Sequence, residues 1–193
     1  MLNSASCCDR IVVPFFMKGM IMMESVVKIR RIHINNIKNV KSGEILSSFY
    51  NTNQFEMSSE VIGIYGQNGS GKTALINALY ILKCVMGCDM DKDSFNEDIY
   101  PLINSESKVA TLSFDFVIQK ETKQFDAYYE FKIEKKDKTI QIFDEKLSYK
   151  GVLPEKISKV TIIETSRDQD LAFLPKTRYE ELISKNKQFK KNG

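Results

Sequence analysis

The chain has 193 residues, of which 42% are hydrophobic and 27% charged, a composition typical of one folded domain or slightly more. Its net charge of +3 is too small to indicate a nucleic-acid-binding protein by itself. The four cysteines and single histidine argue against a secreted disulfide framework. They also argue against a zinc site, which usually takes four ligands, although Cys84 and Cys88 would share one helix face.

The N-terminal region contains a short apolar segment, IVVPFFM, at residues 11–17. It is too short for a transmembrane helix and is a poor signal peptide, so we expect a cytoplasmic protein without a membrane segment. Methionines follow at 17, 20, 22 and 23. If translation starts at one of these, residues 1–22 are an extension outside the fold, which would then occupy residues 23–193.

Alternating and β-branched residues predict two strands near the start of the fold. The segments are ESVVKIRRIHI at 24–34 and EILSSFY at 44–50, with a turn at 35–43 between them. EVIGIY at 60–65 is a short apolar run that predicts a buried central strand. Residues 72–86 have helical spacing, with apolar residues at 75, 76, 79, 82, 85 and 86 and a stop at Gly87.

The second half of the chain is predicted to be mainly β. A partly helical excursion covers 88–107. Alternation then predicts an antiparallel meander at 108–118, 124–135 and 139–150, and a further strand at 159–165. A helix is expected at 177–191, after Pro175. The predicted fold class is α/β, with a P-loop core sheet, an antiparallel β subdomain and few helices.

A phosphate-binding motif lies between the apolar run and the helix. It fits G-x-x-x-x-G-K-[ST] in full, with the residues Gly66, Gln67, Asn68, Gly69, Ser70, Gly71, Lys72 and Thr73. Glycines let successive backbone N–H groups point at an anion, and the following helix adds its positive dipole end. Lys72 would contact the β- and γ-phosphates and act as the catalytic cation, while the Thr73 hydroxyl would bind Mg²⁺. A glycine-rich turn without a ligand is the alternative.

The nucleotide is expected to be ATP. Guanine recognition uses an Asn-Lys-x-Asp element, and the nearest segment, at residues 186–189, lacks the aspartate. A small P-loop kinase would need arginines in a lid, and arginine is scarce here.

The order of the segments adds a resemblance. KIRRIHINNIKNVKSGEI precedes VIGIYGQNGSGKTALINALYIL, and a meander follows. This arrangement resembles the N-terminal half of an ABC-type ATPase head, especially the prokaryotic AAA-family ATPases related to the RecF, structural-maintenance-of-chromosomes and OLD proteins, over about residues 26 to 190. The resemblance implies two heads that sandwich ATP with Mg²⁺, and ATP hydrolysis in the complete protein. It also implies a role in DNA repair or anti-phage defence, beside a nuclease or toxin partner.

The same resemblance suggests further site residues. The turn after the first strand approaches the nucleotide in such heads, so Lys38 and Asn39 are candidate nucleotide contacts, and a solvated turn is the alternative. Gln119, near the end of a strand, is a candidate for the glutamine that senses Mg²⁺.

The hydrolytic half of such a head is not evident in the sequence. Leu147-Ser148 is followed by tyrosine and not by the glycines of an LSGG signature. Asp144-Glu145 imitates the acidic pair that holds Mg²⁺ and activates water, but its strand alternates as a solvated edge strand does. Glu164 is a single acid. We therefore expect an N-terminal ATPase portion that lacks its catalytic acid. The alternatives are a stand-alone ATP-binding regulatory or interaction module and a small P-loop kinase.

Overall fold

A computed structural model describes residues 25–47, 61–87, 92–137, 139–154, 156–166 and 169–172. The strands are β1 Ser25–Ile37, β2 Val40–Leu46, β3 Val109–Lys120, β4 Lys123–Lys136, β5 Thr139–Leu153, β6 Ile157–Ser166 and β7 Gln169–Ala172. The helices are α1 Lys72–Gly87 and α2 Lys92–Ile99, and a 3₁₀ turn covers Tyr100–Leu102. No helix among these residues is both long and apolar enough to cross a membrane.

The strands form one antiparallel sheet in the order β2-β1-β3-β4-β5-β6-β7. Most neighbours along the chain are also neighbours in the sheet because short turns join them, which is how antiparallel meanders form. The exception is the connection from β2 to β3, which passes through α1 and α2 and leaves β1 between these two strands. The β1–β2 turn contacts the loop that precedes α1.

The core lies on one face of the sheet. A row of buried side chains runs in register across five strands: Ile32, Phe114, Tyr129, Leu147 and Ile163. Side chains alternate between the two faces of a strand, so residues one position away point to the opposite face. Burial of each large apolar side chain in this row contributes about 1.5–3 kcal/mol, which fixes the register of the sheet.

Helix α1 packs on this core through one face only. Its buried residues follow helical spacing and are Ala74, Leu75, Ala78, Ile81, Leu82, Cys84 and Val85. Cys84 is thus a core residue, and Cys88 lies outside the described residues. Two apolar residues that the sequence pattern assigned to the helix, Ile76 and Leu79, are exposed by 62% and 37%. They lie on the side of α1 that faces away from the sheet.

Most predicted elements are confirmed, with shifted ends. The predicted meander corresponds to β3, β4 and β5, the predicted strand at 159–165 to β6, and the predicted helix at 72–86 to α1. The turn predicted at 35–43 is much shorter, because Ile37 already pairs with Val40 and only two residues lie between them. Strand β7 was not anticipated. The helix predicted at 177–191 and the extension at 1–22 lie outside the described residues.

One strand prediction is wrong in the described structure. Residues 61–65 form no strand pairing, and Val61 and Tyr65 are each exposed by 93%. An apolar run becomes a buried strand only where other strands cover it, and no described strand lies against this run. The antiparallel sheet and the small number of helices agree with the predicted fold class. The P-loop core sheet is not formed by the described residues.

Candidate functional site

The loop of residues 66–71 has the backbone conformation that an anion cradle requires. Gly69 and Gly71 have φ values of +84° and +94°, which only glycine adopts without strain. Ser70 N–H donates to Gln67 O at 3.2 Å and closes a tight turn. A Cβ on Gly66 would lie 2.5 Å from Ser70 Oγ. The loop is therefore curved inward on itself, and a side chain at Gly66 would collide with Ser70.

Lys72 lies across this loop. Its ammonium donates to the carbonyls of Gly66 and Gln67 at 2.6 and 2.7 Å. The two acceptors are neutral carbonyls, so the positive charge is held at the loop without a neutralising carboxylate in these bonds. An anionic oxygen in the loop would meet this ammonium, because charge-assisted hydrogen bonds are stronger than those to neutral carbonyls.

Helix α1 begins directly at the loop. Ala74 and Leu75 N–H groups donate to Gly71 O at 2.9 and 3.3 Å, which makes Gly71 the first acceptor of the helix. The N–H groups that precede them have no acceptor within the helix, as at every helix start, and the helix dipole adds positive potential there. Thr73 is exposed in this first turn, so its hydroxyl is accessible to solvent and to a hydrated cation.

The β1–β2 turn contacts the loop directly. Asn39 Nδ2 donates to Gly69 O at 2.5 Å. Val40, which begins β2, lies so close to Gly71 that a Cβ there would approach Val40 Cγ2 to 2.7 Å. Position 71 thus requires glycine for two reasons: its φ value is positive, and Val40 leaves no space for a Cβ. The structure therefore brings Asn39 to the loop, as the resemblance implied.

A second set of contacts holds this turn from the other side. Lys38 N–H donates to Leu102 O at 2.7 Å, and Lys38 O accepts from Asn104 Nδ2 at 2.6 Å. Asn104 N–H also donates to Asn36 O at 2.8 Å. Asn36 and Lys38 have φ values of +59° and +51°. Several hydrogen bonds thus hold a conformation that non-glycine residues seldom adopt.

Lys135 on β4 lies beside the same anchor. Its ammonium donates to Ile103 O at 3.0 Å and sits 4.8 Å from the centre of the Tyr100 ring. Burial lowers the pKa of Lys135, and the nearby charge of Lys38 lowers it further. Sequence reasoning missed Lys135 and Asn104, because their roles depend on contacts between segments distant in the chain. Asn104 and Lys38 are 66 residues apart, and Lys135 and Ile103 are 32 residues apart. The only local signal was Asn36, a residue type that tolerates positive φ.

Gln119 lies far from the loop. It pairs with Val26 at the end of β1 opposite the β1–β2 turn, whereas Thr111 on the same strand pairs with Asn35 beside that turn. Eight residues of strand separate Gln119 from Thr111, which corresponds to about 26 Å. Its amide donates to Glu121 O at 2.5 Å. The described structure therefore does not place Gln119 where it could sense a metal at Thr73.

The acidic candidates have structural partners elsewhere in the sheet. Asp144 Oδ2 lies 2.9 Å from Lys132 Nζ, and Glu164 Oε1 lies 2.8 Å from Lys146 Nζ. Glu145 is buried and accepts the Tyr129 hydroxyl at 2.6 Å. Strand β5 is three strands away from β1, which corresponds to about 14 Å. The structure thus brings none of these acids to the P-loop side of the sheet. Leu147 and Ser148, the residues that resembled the start of an LSGG signature, are both buried in β5.

The loop, the start of α1 and the β1–β2 turn thus lie together, and the helix start supplies N–H donors suited to an anion such as a polyphosphate. Comparison with known proteins agrees with this chemistry. A family model described as an AAA domain matches residues 31–192, which include the second half of β1, the loop, α1 and the meander. No curated protein matches the sequence. Because the matched region covers most of the 193 residues, the chain belongs to the AAA domain family of ATPase-type, nucleotide-binding domains.

Proposed function

We propose that residues 66–73 are a Walker A P-loop that binds ATP with Mg²⁺. The backbone N–H groups of the loop and the start of α1 would hold the phosphates. Lys72 would leave the two carbonyls that it now contacts and bind the β- and γ-phosphates. Thr73 would provide a hydroxyl ligand to the metal, which supplies positive charge beside the phosphates. Asn39 and Lys38 would limit the loop on the side of the β1–β2 turn.

The strongest support for this proposal is the position of Lys72. Its ammonium lies within 2.7 Å of two loop carbonyls, at a helix start and beside two glycines with positive φ. A glycine-rich turn with no ligand would not require a lysine charge at its centre. The close approach of Val40 to Gly71 supports the same function, because it holds the loop against a strand and so pre-organises it.

We further propose that this chain is the ATP-binding portion of an ABC-type head, and that hydrolysis requires residues from a complementary portion. The candidate acids Asp144, Glu145 and Glu164 are engaged in the meander, away from the loop. The run at 61–65, which leads into the loop, has exposed apolar side chains and no strand partner among the described residues. A complete head would cover this run with further strands.

An ATP-binding module without turnover is the second candidate. It is favoured by the same engagement of the acids in ion pairs and hydrogen bonds. A small P-loop kinase has less support, because only the short helix α2 and a 3₁₀ turn separate α1 from the antiparallel meander among the described residues. The sandwiched dimer of heads, the nuclease or toxin partner and the role in DNA repair or anti-phage defence follow from the resemblance alone.

The first test is nucleotide binding by the whole chain. We expect MgATP to bind in isothermal titration calorimetry. Lys72→Ala should weaken the affinity about 30-fold or more, because a lost charge-assisted contact costs about 2–5 kcal/mol. Thr73→Val should reduce the dependence of affinity on Mg²⁺ and affect ATP binding without metal much less. Lys83→Ala, at an exposed lysine on the same helix, is the matched control. Equal affinity for Lys72→Ala and the parent would refute the role of the loop.

The second test measures turnover. A mixture with excess protein over ATP should release no phosphate beyond the rate of Lys72→Ala if the catalytic acid is supplied by another portion. Phosphate release by the parent and not by Lys72→Ala would show a complete active site in this chain. Release of ADP only after an acceptor molecule is added would instead support the kinase.

A further inference from the structure

A second concave site lies on the sheet face opposite the core row. Residues Arg31, Asp115, Tyr128, Ser148 and Thr161 occupy one register row across β1, β3, β4, β5 and β6. This row neighbours the buried row of Ile32 and Phe114, and the alternation of side chains therefore directs it to the other face. A cavity of about 430 Å³ opens on this face. We call it the sheet cleft, and it is lined mainly by Arg30, Asp126, Tyr128, Ser148, Lys150 and Lys159.

The sheet cleft exists because β1 contains a bulge. The pairing of β1 with β3 shifts between Ile29 and Arg31, which leaves Arg30 as the extra residue. A bulge bends its strand and redirects a side chain. Arg30 consequently reaches across β3 to Asp126 on β4, with Nη1 3.3 Å from Oδ1. The cleft is about eight residues from Lys38 along β1, or about 26 Å, and is therefore separate from the P-loop.

The lining of the cleft carries excess positive charge. Asp126 is shared by two cations, because Lys150 Nζ lies 3.4 Å from its second oxygen. The other lining carboxylate, Asp115, already forms an ion pair with Arg31 at 2.7 Å. Lys159 lies 5.9 Å from the centre of the Tyr128 ring. The lining thus contains three cations, Arg30, Lys150 and Lys159, and one carboxylate, Asp126, that has no ion pair outside the lining. The lining therefore has a surplus of two positive charges.

Three polar atoms of the lining are buried without a hydrogen-bond partner in the described part of the chain. They are the hydroxyl of Ser148, the Nε–H of Arg30 and Oδ1 of Asp126; the last of these lies 3.3 Å from Arg30 Nη1, and Ser148 is only 1% exposed. Buried donors normally find acceptors, and each exception calls for an explanation such as a missing ion. The Tyr128 hydroxyl in the same lining donates to Glu130 at 2.5 Å. The cleft therefore has two spare donors and, beyond the charge of Asp126, excess positive charge.

We propose that the sheet cleft binds the phosphate group of a small phosphorylated molecule. A phosphomonoester carries a charge of about −1.5 to −2 at neutral pH, which matches the surplus of two cations, and its three oxygens accept bonds from guanidinium, ammonium and hydroxyl donors. A carboxylate would neutralise only one of the two charges. The cavity volume lies in the range of about 300–1,000 Å³ that small-molecule sites occupy.

The test uses phenyl phosphate as the probe and Lys72→Ala as the protein, so that the P-loop contributes little to binding. We expect saturable binding in calorimetry at millimolar or lower concentration. Lys159→Glu, at an exposed position, should weaken it about tenfold or more, since it replaces a cation by an anion. Lys41→Glu, at an exposed lysine on β2, is the matched control and should bind as Lys72→Ala does. Benzoate should bind more weakly than phenyl phosphate.

Ser148→Ala gives an independent measurement. In the absence of phosphate, it should leave the melting temperature unchanged or raise it, because it removes an unpaired buried hydroxyl. It should nevertheless weaken phenyl phosphate binding. The proposal is refuted if Lys72→Ala binds no phenyl phosphate, if Lys159→Glu binds it undiminished, or if benzoate binds equally well. Tighter binding of single-stranded DNA, lost in Lys159→Glu, would also overturn it in favour of a nucleic-acid surface.

Discussion

Gly71 shows how one position can serve both the fold and the site. Its φ of +94° places it in a region that side chains seldom adopt, and Val40 leaves no room for a Cβ. Gly69 has a similar φ of +84°, but a Cβ there would meet nothing within 4 Å. Substitution at Gly69 would therefore introduce backbone strain alone, whereas substitution at Gly71 would introduce strain and a steric clash. Comparing the two variants separates these two contributions to the free energy of unfolding.

We expect Gly71→Ala to destabilise the protein more than Gly69→Ala. Strain at positive φ costs about 1–3 kcal/mol at either position, and only Gly71→Ala adds the clash with Val40. The second substitution Val40→Ala should recover part of the loss in Gly71→Ala and none in Gly69→Ala. Urea denaturation of the four variants measures these differences. Equal free energies of unfolding for the two glycine variants would contradict the close approach.

Tyr128 gives a pH-dependent prediction. Burial, and then the hydrogen bond to Glu130, raise the pKa of Tyr128 to about 12, while Ser113 and the charge of Arg31 oppose this rise. Because the folded-state pKa lies above the unfolded value, the neutral phenol is favoured in the folded protein. This contribution to stability is fully present below about pH 10 and is lost as the pH rises through about 12.

The comparison that isolates this effect is Tyr128→Phe. Between about pH 10 and 12, the free energy of unfolding of the parent should fall more steeply than that of the variant, although lysines titrate in both. Denaturant titrations at several pH values measure the difference. Parallel pH profiles for the two proteins would show that Tyr128 ionises normally.

At the scale of elements, the β1–β2 turn links the sheet to the P-loop. Asn39 donates to Gly69 O, and Asn104 holds the backbone of Lys38 from behind. Through these hydrogen bonds, the turn holds the loop in a fixed position relative to the sheet. That Lys38 contacts the nucleotide directly stays a prediction. Its positive charge lies close enough to Lys135 to lower the pKa of Lys135, so an anion near both ammonium groups would be favourable.

Asn39→Ala tests this link. It removes one exposed hydrogen bond, which contributes about 0.5–1.5 kcal/mol, so MgATP affinity should fall by about 2- to 12-fold with little change in melting temperature. Asn39→Asp should weaken binding further, because it places a carboxylate beside a carbonyl and near the phosphates. Lys41→Ala, at an exposed residue of the adjacent strand, should leave affinity unchanged. An unaltered affinity in both Asn39 variants would mean that the contact does not shape the loop.

At the scale of the whole molecule, the described structure leaves apolar side chains uncovered on the segments that flank the P-loop. They are Val61, Ile62, Ile64 and Tyr65 of the run before the loop and Ile76 and Leu79 of α1, with exposures from 37% to 93%. Exposed apolar groups of this extent commonly mark an interaction surface or a site of aggregation. The backbone of residues 61–65, which pairs with no described strand, adds an edge to which a strand can be added.

The isolated chain should therefore self-associate as its concentration rises. Replacing Tyr65 by Ser and Ile76 by Glu together should weaken this association roughly tenfold or more without lowering the melting temperature, because both side chains are exposed in the fold. Lys83→Glu on α1 controls for added negative charge. Size-exclusion chromatography with light scattering measures the mass. A parent chain that stays monomeric at all concentrations would show that this surface is not adhesive.

Local patterns accounted for the elements whose signals are short-range. The alternation in 108–118 and 124–135 predicted β3 and β4, because each residue's burial depends on a period of two. The spacing at 72–86 and Gly87 predicted α1. The same spacing also placed Ile76 and Leu79 among the apolar residues expected on the buried face of α1. The structure exposes both, because the sheet packs against another side of the helix, and the spacing alone does not show which side that is.

The sequence by itself determined the phosphate-binding motif proposed for residues 66–73, because the spacing of glycines, lysine and threonine defines it without reference to other segments. Only the tertiary structure decided that Asn39 and Val40 contact this loop, that Glu145 is buried, and that residues 61–65 have no strand partner among the described residues. These outcomes depend on pairing between segments distant in the chain. The bulge at Arg30 and the resulting sheet cleft were likewise invisible in the sequence, because a bulge is defined only by the register of two paired strands.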